Sequence, residues 1–338
     1  MRVITMLIYL LTLLTTSICV ADEASSPKPI RVGLIGLDTS HAIAFTQILN
    51  DPKAGADVSH CRVVAAYPKG SPDIASSVER VPQYTEKVKE LGVEIVGSID
   101  ELIAKVDAVL LETNDGRPHL EQALPVLKAK KACFIDKPVA GTLTDVVAVF
   151  DAANRFGAPV FSASSLRYTD GAQRLRRGDY GDVFGCDAFS PCALEKSHPD
   201  LFWYGIHGVE TLFTVMAPGC ETVTRVTSPD GDLVVGKWKD GRIGTFRGMR
   251  KGNHSYGGTA FTSKGTQQTG DYHGYRELVV EVVKFFRTGV SPVSAAETLE
   301  IYAFMEAADE SKRQGGKPVS LPEMLENAQT QAAQIKLD

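Results

Sequence analysis

From Ile30 onward the apolar and polar positions alternate between two rhythms. "IRVGLIGL" (30–37) is a nearly unbroken apolar run, as a parallel strand buried on both faces requires. "SHAIAFTQILN" (40–50) follows with Ile43, Phe45, Ile48 and Leu49 roughly on one helical face, and Asp38, Thr39 or Ser40 stands ready to cap it. The exchange recurs with strands at "CRVVAAY" (61–67), "DAVLLET" (107–113), "ACFID" (132–136) and "APVFSAS" (158–164). Between them "DELIAKV" (100–106), "PHLEQALPVLKAK" (118–130) and "LTDVVAVFDAANRFG" (143–157) carry helical spacing. This rhythm predicts an α/β, Rossmann-like doubly wound parallel sheet over residues 30–163. Ligands of such sheets bind beyond the carboxyl ends of the strands, which directs attention to turns 36–41, 67–72, 113–119 and 136–139.

After about residue 164 the period changes. "DVFGCDAFS" (182–190), "ETVTRVTS" (221–228), "DLVVGKWKDGRIGTFRG" (232–248) and "GGTAFTSKG" (257–265) are strand-like and separated by Gly or Asp-Gly turns. One helix near "HGVETLFTVM" (207–216) interrupts them. Two more close the chain: "YRELVVEVVKFFRTG" ends on Gly289, and "SAAETLEIYAFMEAADESKR" opens with Ser294 and Glu297 in capping-box spacing. Residues 164–338 therefore read as an α+β domain on a mostly antiparallel open sheet.

The first residues read differently. Arg2, the apolar run "VITMLIYLLTLL" and the polar "TTSICVA" ending at Ala21 have the order of a Sec-type secretory signal peptide over residues 1–21, followed by a polar linker over 22–29. The expectation is an exported chain, periplasmic or extracellular, with no stable membrane insertion once the signal is removed. The 338 residues carry 36 Lys and Arg against 41 Asp and Glu, with no basic run, so nucleic acid is not an expected partner. Cys61, Cys133, Cys186, Cys192 and Cys220 fit no zinc spacing. Cys61 and Cys133 fall in buried strands, and Cys186 and Cys192 are candidates to pair in an oxidising compartment. The fold does not depend on a disulfide framework.

"FIDKPVAGT" (134–142) carries the most telling chemistry: Lys137, at the end of a buried strand and followed by Pro138, is positioned to enter the ligand crevice. There a lysine can polarise or protonate an oxygen; a structural lysine fits the position equally well. Here the chain resembles the Gfo/Idh/MocA (glucose–fructose oxidoreductase / inositol dehydrogenase) family, whose Glu-Lys-Pro motif Asp136–Pro138 is similar to. "DAVLLETNDGRPHLEQAL", "SLRYTDGAQRLRRGDYGDV", "WYGIHGVETLF" and "GVSPVSAAETLEIYAFMEAADES" resemble further family segments in the right order.

The resemblance implies a two-domain oxidoreductase that binds NAD or NADP in its first domain and a small carbohydrate-like substrate against the open sheet of its second. That sheet often joins copies of such proteins into homo-oligomers. By position, Lys137 matches the lysine that hydrogen-bonds the reacting oxygen, and His207 the acid/base histidine. Thr113 and Asn114 match residues beside the nicotinamide ribose, and Gly33, Gly36, Asp38, Thr39, Ser40, Lys69, His119 and Asp136 complete the expected cofactor set. Arg167, Trp203 and Tyr204 are the expected substrate contacts. Hydride transfer from a carbinol needs a base on its hydroxyl and a cation for the developing alkoxide, which is the chemistry of such a pair.

Three departures stand out. Aligned with G-x-G-x-x-G, "GLIGLDTSH" offers Gly36, then Asp38 and His41 for the second and third glycines. A carboxylate about 5 Å from a phosphate charge costs roughly 3 kcal/mol at an effective dielectric of 20, unless Asp38 turns aside and leaves Thr39 and Ser40 to the phosphate at the helix N-terminus. The acidic residue expected after the second strand is missing; Tyr67, Pro68, Lys69 and Ser71 stand there, and Lys69 with Ser71 suits a 2′-phosphate, while a solvated loop lysine fits the position as well. Trp203 replaces the family's aspartate four residues before the histidine. His207 and Glu210 share a helix face but have no evident third ligand, so no metal is expected. An oxidoreductase is the leading expectation; a non-redox carbohydrate lyase or hydrolase, or a carbohydrate-binding protein on the same scaffold, is the alternative.

Overall fold

The computed structural model describes residues 29–337; the expected signal peptide (1–21) and nearly all of the expected linker lie outside the described residues. Six parallel strands, β1 (Ile30–Ile35), β2 (Cys61–Tyr67), β3 (Glu94–Ile95), β4 (Ala108–Leu111), β5 (Ala132–Ile135) and β6 (Val160–Phe161), form a sheet in the order β3-β2-β1-β4-β5-β6. Helices α1 (Ser40–Asn50), α2 (Ala75–Glu90), α3 (Ile99–Lys105), α4 (His119–Lys128) and α5 (Leu143–Phe156) make the crossovers. Val32 pairs with Val63 on one side and Ala108 on the other, so β1 is central and the order reverses beside it. The crevice of a doubly wound sheet opens at that reversal.

The second sheet has seven strands: β7 (Val183–Pro191), β8 (Cys220–Ser228), β9 (Gly231–Trp238), β10 (Ile243–Met249), β11 (Gly257–Thr262), β12 (Gly265–Gln268) and β13 (Val319–Ser320), in the order β12-β11-β7-β10-β9-β8-β13. Only β10 with β7 is parallel; the other pairs are antiparallel. Helices α6 (Asp170–Arg176), α7 (Asp200–Trp203), α8 (Ile206–Met216), α9 (Arg276–Thr288), α10 (Ala295–Arg313) and α11 (Leu321–Ala332) complete the chain. The α/β architecture expected from the sequence is the one observed.

Every residue of α8 is buried, its Glu210 included, which Arg167 neutralises. It lies so close to the second sheet that a Cβ on Gly208 would stand 2.3 Å from the Phe246 ring. This seating delivers His207 to the first sheet's crevice. Helix α9 departs from its expected place: its Leu278, Val282 and Phe285 join Val32, Leu34, Phe134 and Phe161 in the first sheet's core, with the Phe161 and Phe285 rings 5.5 Å apart.

Four helices escaped the sequence pattern. α2 is polar and contains Pro82, which breaks a helical reading; α6 and α7 are short, seven and four residues long; α11 follows the helix expected to close the chain. The five cysteines Cys61, Cys133, Cys186, Cys192 and Cys220 are buried free thiols, with burial pushing Cys61, Cys186 and Cys192 up to about 12. Ser294 caps α10 by accepting from Glu297 N, but the Glu297 side chain turns to Arg176 instead of closing the box.

Candidate active site

A cavity of about 280 Å³ lies where the start of α1, the ends of β4 and β5, and α8 converge. Its floor and one wall come from Thr39, Ser40, His41, Asn114 and Lys137; the facing wall comes from Trp203, Tyr204 and His207. Three more tyrosines, Tyr256, Tyr272 and Tyr275, close the remaining side.

The turn after β1 explains how an aspartate is tolerated there. Gly36 takes φ +90°, and a Cβ on it would fall 2.4 Å from Thr113 N, so β1 can meet the end of β4 only with glycine at this position. Asp38 is fully buried. Its carboxylate accepts from Asn114 N at 2.9 Å and from Ser77 Oγ at 2.6 Å. It is therefore turned away from the cavity and ties the turn to the loop after β4 and to α2. Burial pushes its pKa up, against the hydrogen bonds from Ser77 and Asn114.

With Asp38 withdrawn, the N-terminus of α1 opens into the cavity. Thr39 caps the helix by accepting from Ala42 N, and Ser40 is exposed. Arg80 and Ser76 of α2 also line the cavity, and Arg80 donates to the Asp38 carbonyl at 3.2 Å. Backbone N–H groups at a helix start, a hydroxyl and a guanidinium form a donor set suited to the diphosphate of a dinucleotide. The residues present fit that part of the cofactor.

The neighbouring crevice is differently furnished. Ser71 Oγ donates to Asp115 at 2.5 Å, and Arg117 grips Asp115 and, with two 2.8 Å bonds, Asp73. These contacts bridge the loop after β2 to the loop after β4. An adenosine entering between those loops would have to part them.

His207 is buried, and its Nδ1 lies 2.7 Å from Ser164 Oγ. Burial pulls its pKa well below the usual imidazole range, and the charges of Lys137 and His41 pull it further. At neutral pH it is uncharged and able to accept a proton. Lys137 extends along the Tyr204 ring, its Nζ 5.6 Å from the centroid, while its backbone N donates to Asp136 Oδ1 at 2.8 Å. The Tyr204 and Tyr256 hydroxyls are 2.7 Å apart. Burial and this tyrosine contact both raise the Tyr256 pKa, so it presents a neutral phenol to a ligand.

Lys137, His207, Asn114, Thr39, Ser40, Trp203 and Tyr204 thus meet in one cavity, as expected. Several expected contacts fall elsewhere. Gly33 sits within β1 and makes room for Leu102 of α3, too deep in the sheet to meet phosphate. Thr113 is buried and donates to Gln122. His119 is buried between the carbonyls of Thr113 and Val139 and braces the turn instead of touching a ligand. Arg167 is locked between Glu210 and Glu297, so it serves the core of the second domain and not the substrate. That pairing also removes Glu210 from His207. Lys69 lines a separate cavity with Tyr67, Ser98 and Asp100. Asp136 lies beneath the cavity against His41, with Nδ1–Oδ2 at 2.6 Å.

Arg80, Ser76 and the three tyrosines were missed. "NHSYGG" and "DYHGY", aromatic residues in glycine-rich polar segments, are the signal that could have pointed to the tyrosines; nothing in the polar α2 sequence singled out Arg80.

Comparison with known proteins agrees with this fold. Residues 30–164 match the model of the Gfo/Idh/MocA oxidoreductase family, NAD-binding Rossmann fold. An inositol 2-dehydrogenase of Cereibacter sphaeroides is 27% identical over 146 residues, which cover 42% of this chain and 38% of that protein. The match thus spans well under half of the curated relative. The fold resembles scyllo-inositol dehydrogenase from Lactobacillus casei, solved with NAD(H) and scyllo-inositol (TM-score 0.69, 16% identity, covering 87% of this chain and 100% of that one). It also resembles an oxidoreductase from Thermotoga maritima (TM-score 0.69, 16% identity, covering 88% and 100%).

Proposed function

We propose that the chain, whose residues 30–164 match the Gfo/Idh/MocA oxidoreductase family model, is an NAD(P)-dependent oxidoreductase acting on a CH–OH group of a polyol, sugar or derivative. The observation that carries this reading is the placement of a neutral, buried His207 and Lys137 in one tyrosine-walled cavity onto which the α1 N-terminus opens. When bound there, the nicotinamide supplies the hydride acceptor.

The chain's own residues do the rest. His207 acts as base in the tautomer whose Nδ1–H donates to Ser164 Oγ, which leaves the Nε2 lone pair for the substrate hydroxyl proton. The Lys137 ammonium stabilises negative charge growing on that oxygen as the carbinol becomes a carbonyl. The tyrosine faces and Trp203 offer flat apolar surfaces to a ring's C–H groups, while their hydroxyls meet its hydroxyls. Arg80, Ser40 and the α1 amides would hold the diphosphate, and Asn114 would stand beside the nicotinamide half.

Export through residues 1–21 and assembly through the second sheet belong to the same proposal. Exposed Phe184, Ile243 and Phe261, on the neighbouring strands β7, β10 and β11, support the latter. A second reading, a non-redox acid–base enzyme or carbohydrate-binding protein, is favoured by the bridged loops and by the lack of an acid after β2.

The test is dinucleotide-dependent oxidation of a panel of inositols and sugars by the purified protein, with Lys137→Ala and His207→Ala alongside. The proposal expects turnover that falls at least about a hundredfold in each variant. Undiminished turnover in both variants refutes the site assignment.

A further inference from the structure

Beneath the cavity, three elements bring together side chains far apart in sequence. His41 is the second residue of α1; Glu112 and Asp136 are the first residues beyond β4 and β5. One ligand atom from each lies within 4.8 Å of the other two. Glu112 and Asp136 have no exposed surface, and His41 is 6% exposed. Asp136 is satisfied, with one oxygen on Lys137 N and the other on His41 Nδ1. Glu112 is not: both of its carboxylate oxygens are buried without a hydrogen-bond partner.

We propose that His41, Glu112 and Asp136 form a binding site for a divalent transition-metal ion.

Two carboxylates buried side by side repel each other and burial disfavours both charges; the Lys137 charge offsets part of this, and a cation or a proton between them would offset the rest. A doubly charged cation balances both, and it gives the Glu112 oxygens the partner they lack. One imidazole nitrogen with two carboxylate oxygens suits zinc, iron or manganese better than calcium, which prefers an all-oxygen shell. Three protein ligands leave a coordination position for water or substrate. The His41 ring is held ready by stacking on Phe45, 5.6 Å between centroids, and by the edge contact with Tyr275 at 4.5 Å. His41 also lines the cavity, which provides the entry path. An incoming ion would replace the direct His41–Asp136 contact with two bonds to itself. The site rests on these three residues alone and is independent of the redox reading.

The test uses the full purified chain, stripped with chelator, loaded with Zn²⁺ alone and desalted. The expected result is retention of one zinc per chain by elemental analysis, with a melting midpoint that rises with Zn²⁺, since an ion bound only by the folded state stabilises it. Glu112→Gln preserves shape and removes a charged ligand; His41→Gln removes the imidazole. In each, affinity should fall by more than the roughly tenfold to hundredfold that outer-sphere changes alone cost. Melting of both variants in chelator checks that they fold. The proposal is overturned if the wild type retains no stoichiometric zinc, or if both folded variants bind it as the wild type does. Absence of zinc together with a Glu112→Gln protein as stable as the wild type would instead identify a proton shared between the two carboxyls.

Discussion

His207 shows how a single side chain acquires a chemical role from its surroundings. Enclosed with Lys137 and His41 charges nearby, its imidazole is held well below its ordinary value of 6.5. Lowering a base's pKa means that the native state binds fewer protons than the unfolded chain between the two values. Stability therefore rises with pH across that window and is lost on acidification from about 6.5 downward. Buried His119, likewise lowered chiefly by burial, adds to the same slope. Denaturant titrations below pH 6.5 should show this loss, and His207→Gln should flatten it. Lys137→Met removes a repelling charge, so NMR titration of the His207 imidazole should move its midpoint upward; an unmoved midpoint would separate the two groups. Ser164→Ala frees the His207 tautomer, which predicts a lower kcat with KM little changed in steady-state kinetics.

Much of this was legible at the level of motifs. Lys137 was visible because a buried strand must end where "DKP" begins, and His207 because "WYGIHGVETLF" resembles the family segment that carries the acid/base histidine. Arg167 misled because sequence order says nothing of partners, and Glu210 and Glu297 claim it from 43 and 130 residues away. Glu112 was silent for the same reason: its importance depends on His41 and Asp136, which only the sheet brings near.

Among elements, the β1–α1 turn and the loops around it carry the functional weight. Gly36→Ala places a Cβ against the Thr113 backbone in a conformation hostile to side chains. It should cost more than about 3 kcal/mol in chemical denaturation. The sequence exposed the conflict between Asp38 and phosphate but not its resolution. Ser77, one of the partners that draws Asp38 aside, lies on α2, a helix its polar composition and Pro82 concealed. The bridges from Ser71 and Asp73 to Asp115 and Arg117 oppose entry between the loops. Arg117→Ala should therefore tighten dinucleotide binding by up to roughly fivefold, the equivalent of about 1 kcal/mol for a partly exposed ion pair. Isothermal titration calorimetry reads this directly, and weaker binding in that variant would mean Arg117 grips the ligand instead.

For the molecule as a whole, the alternation of periods along the chain sufficed to predict both sheets, because parallel and antiparallel strands bury different faces. It failed to predict that α9, late in sequence, packs on the first sheet. That return of the chain joins the two halves and puts Tyr275, just before α9, at the cavity. Oxidoreductase activity requires the α1 N-terminus to receive a dinucleotide diphosphate, with Asp38 facing inward. Calorimetric titration of the purified chain with NAD⁺ and NADP⁺ tests this most directly. Saturable binding of at least one, weakened about tenfold or more by Arg80→Ala, is the predicted result. No binding of either, from a protein that still binds a polyol or sugar, would contradict it.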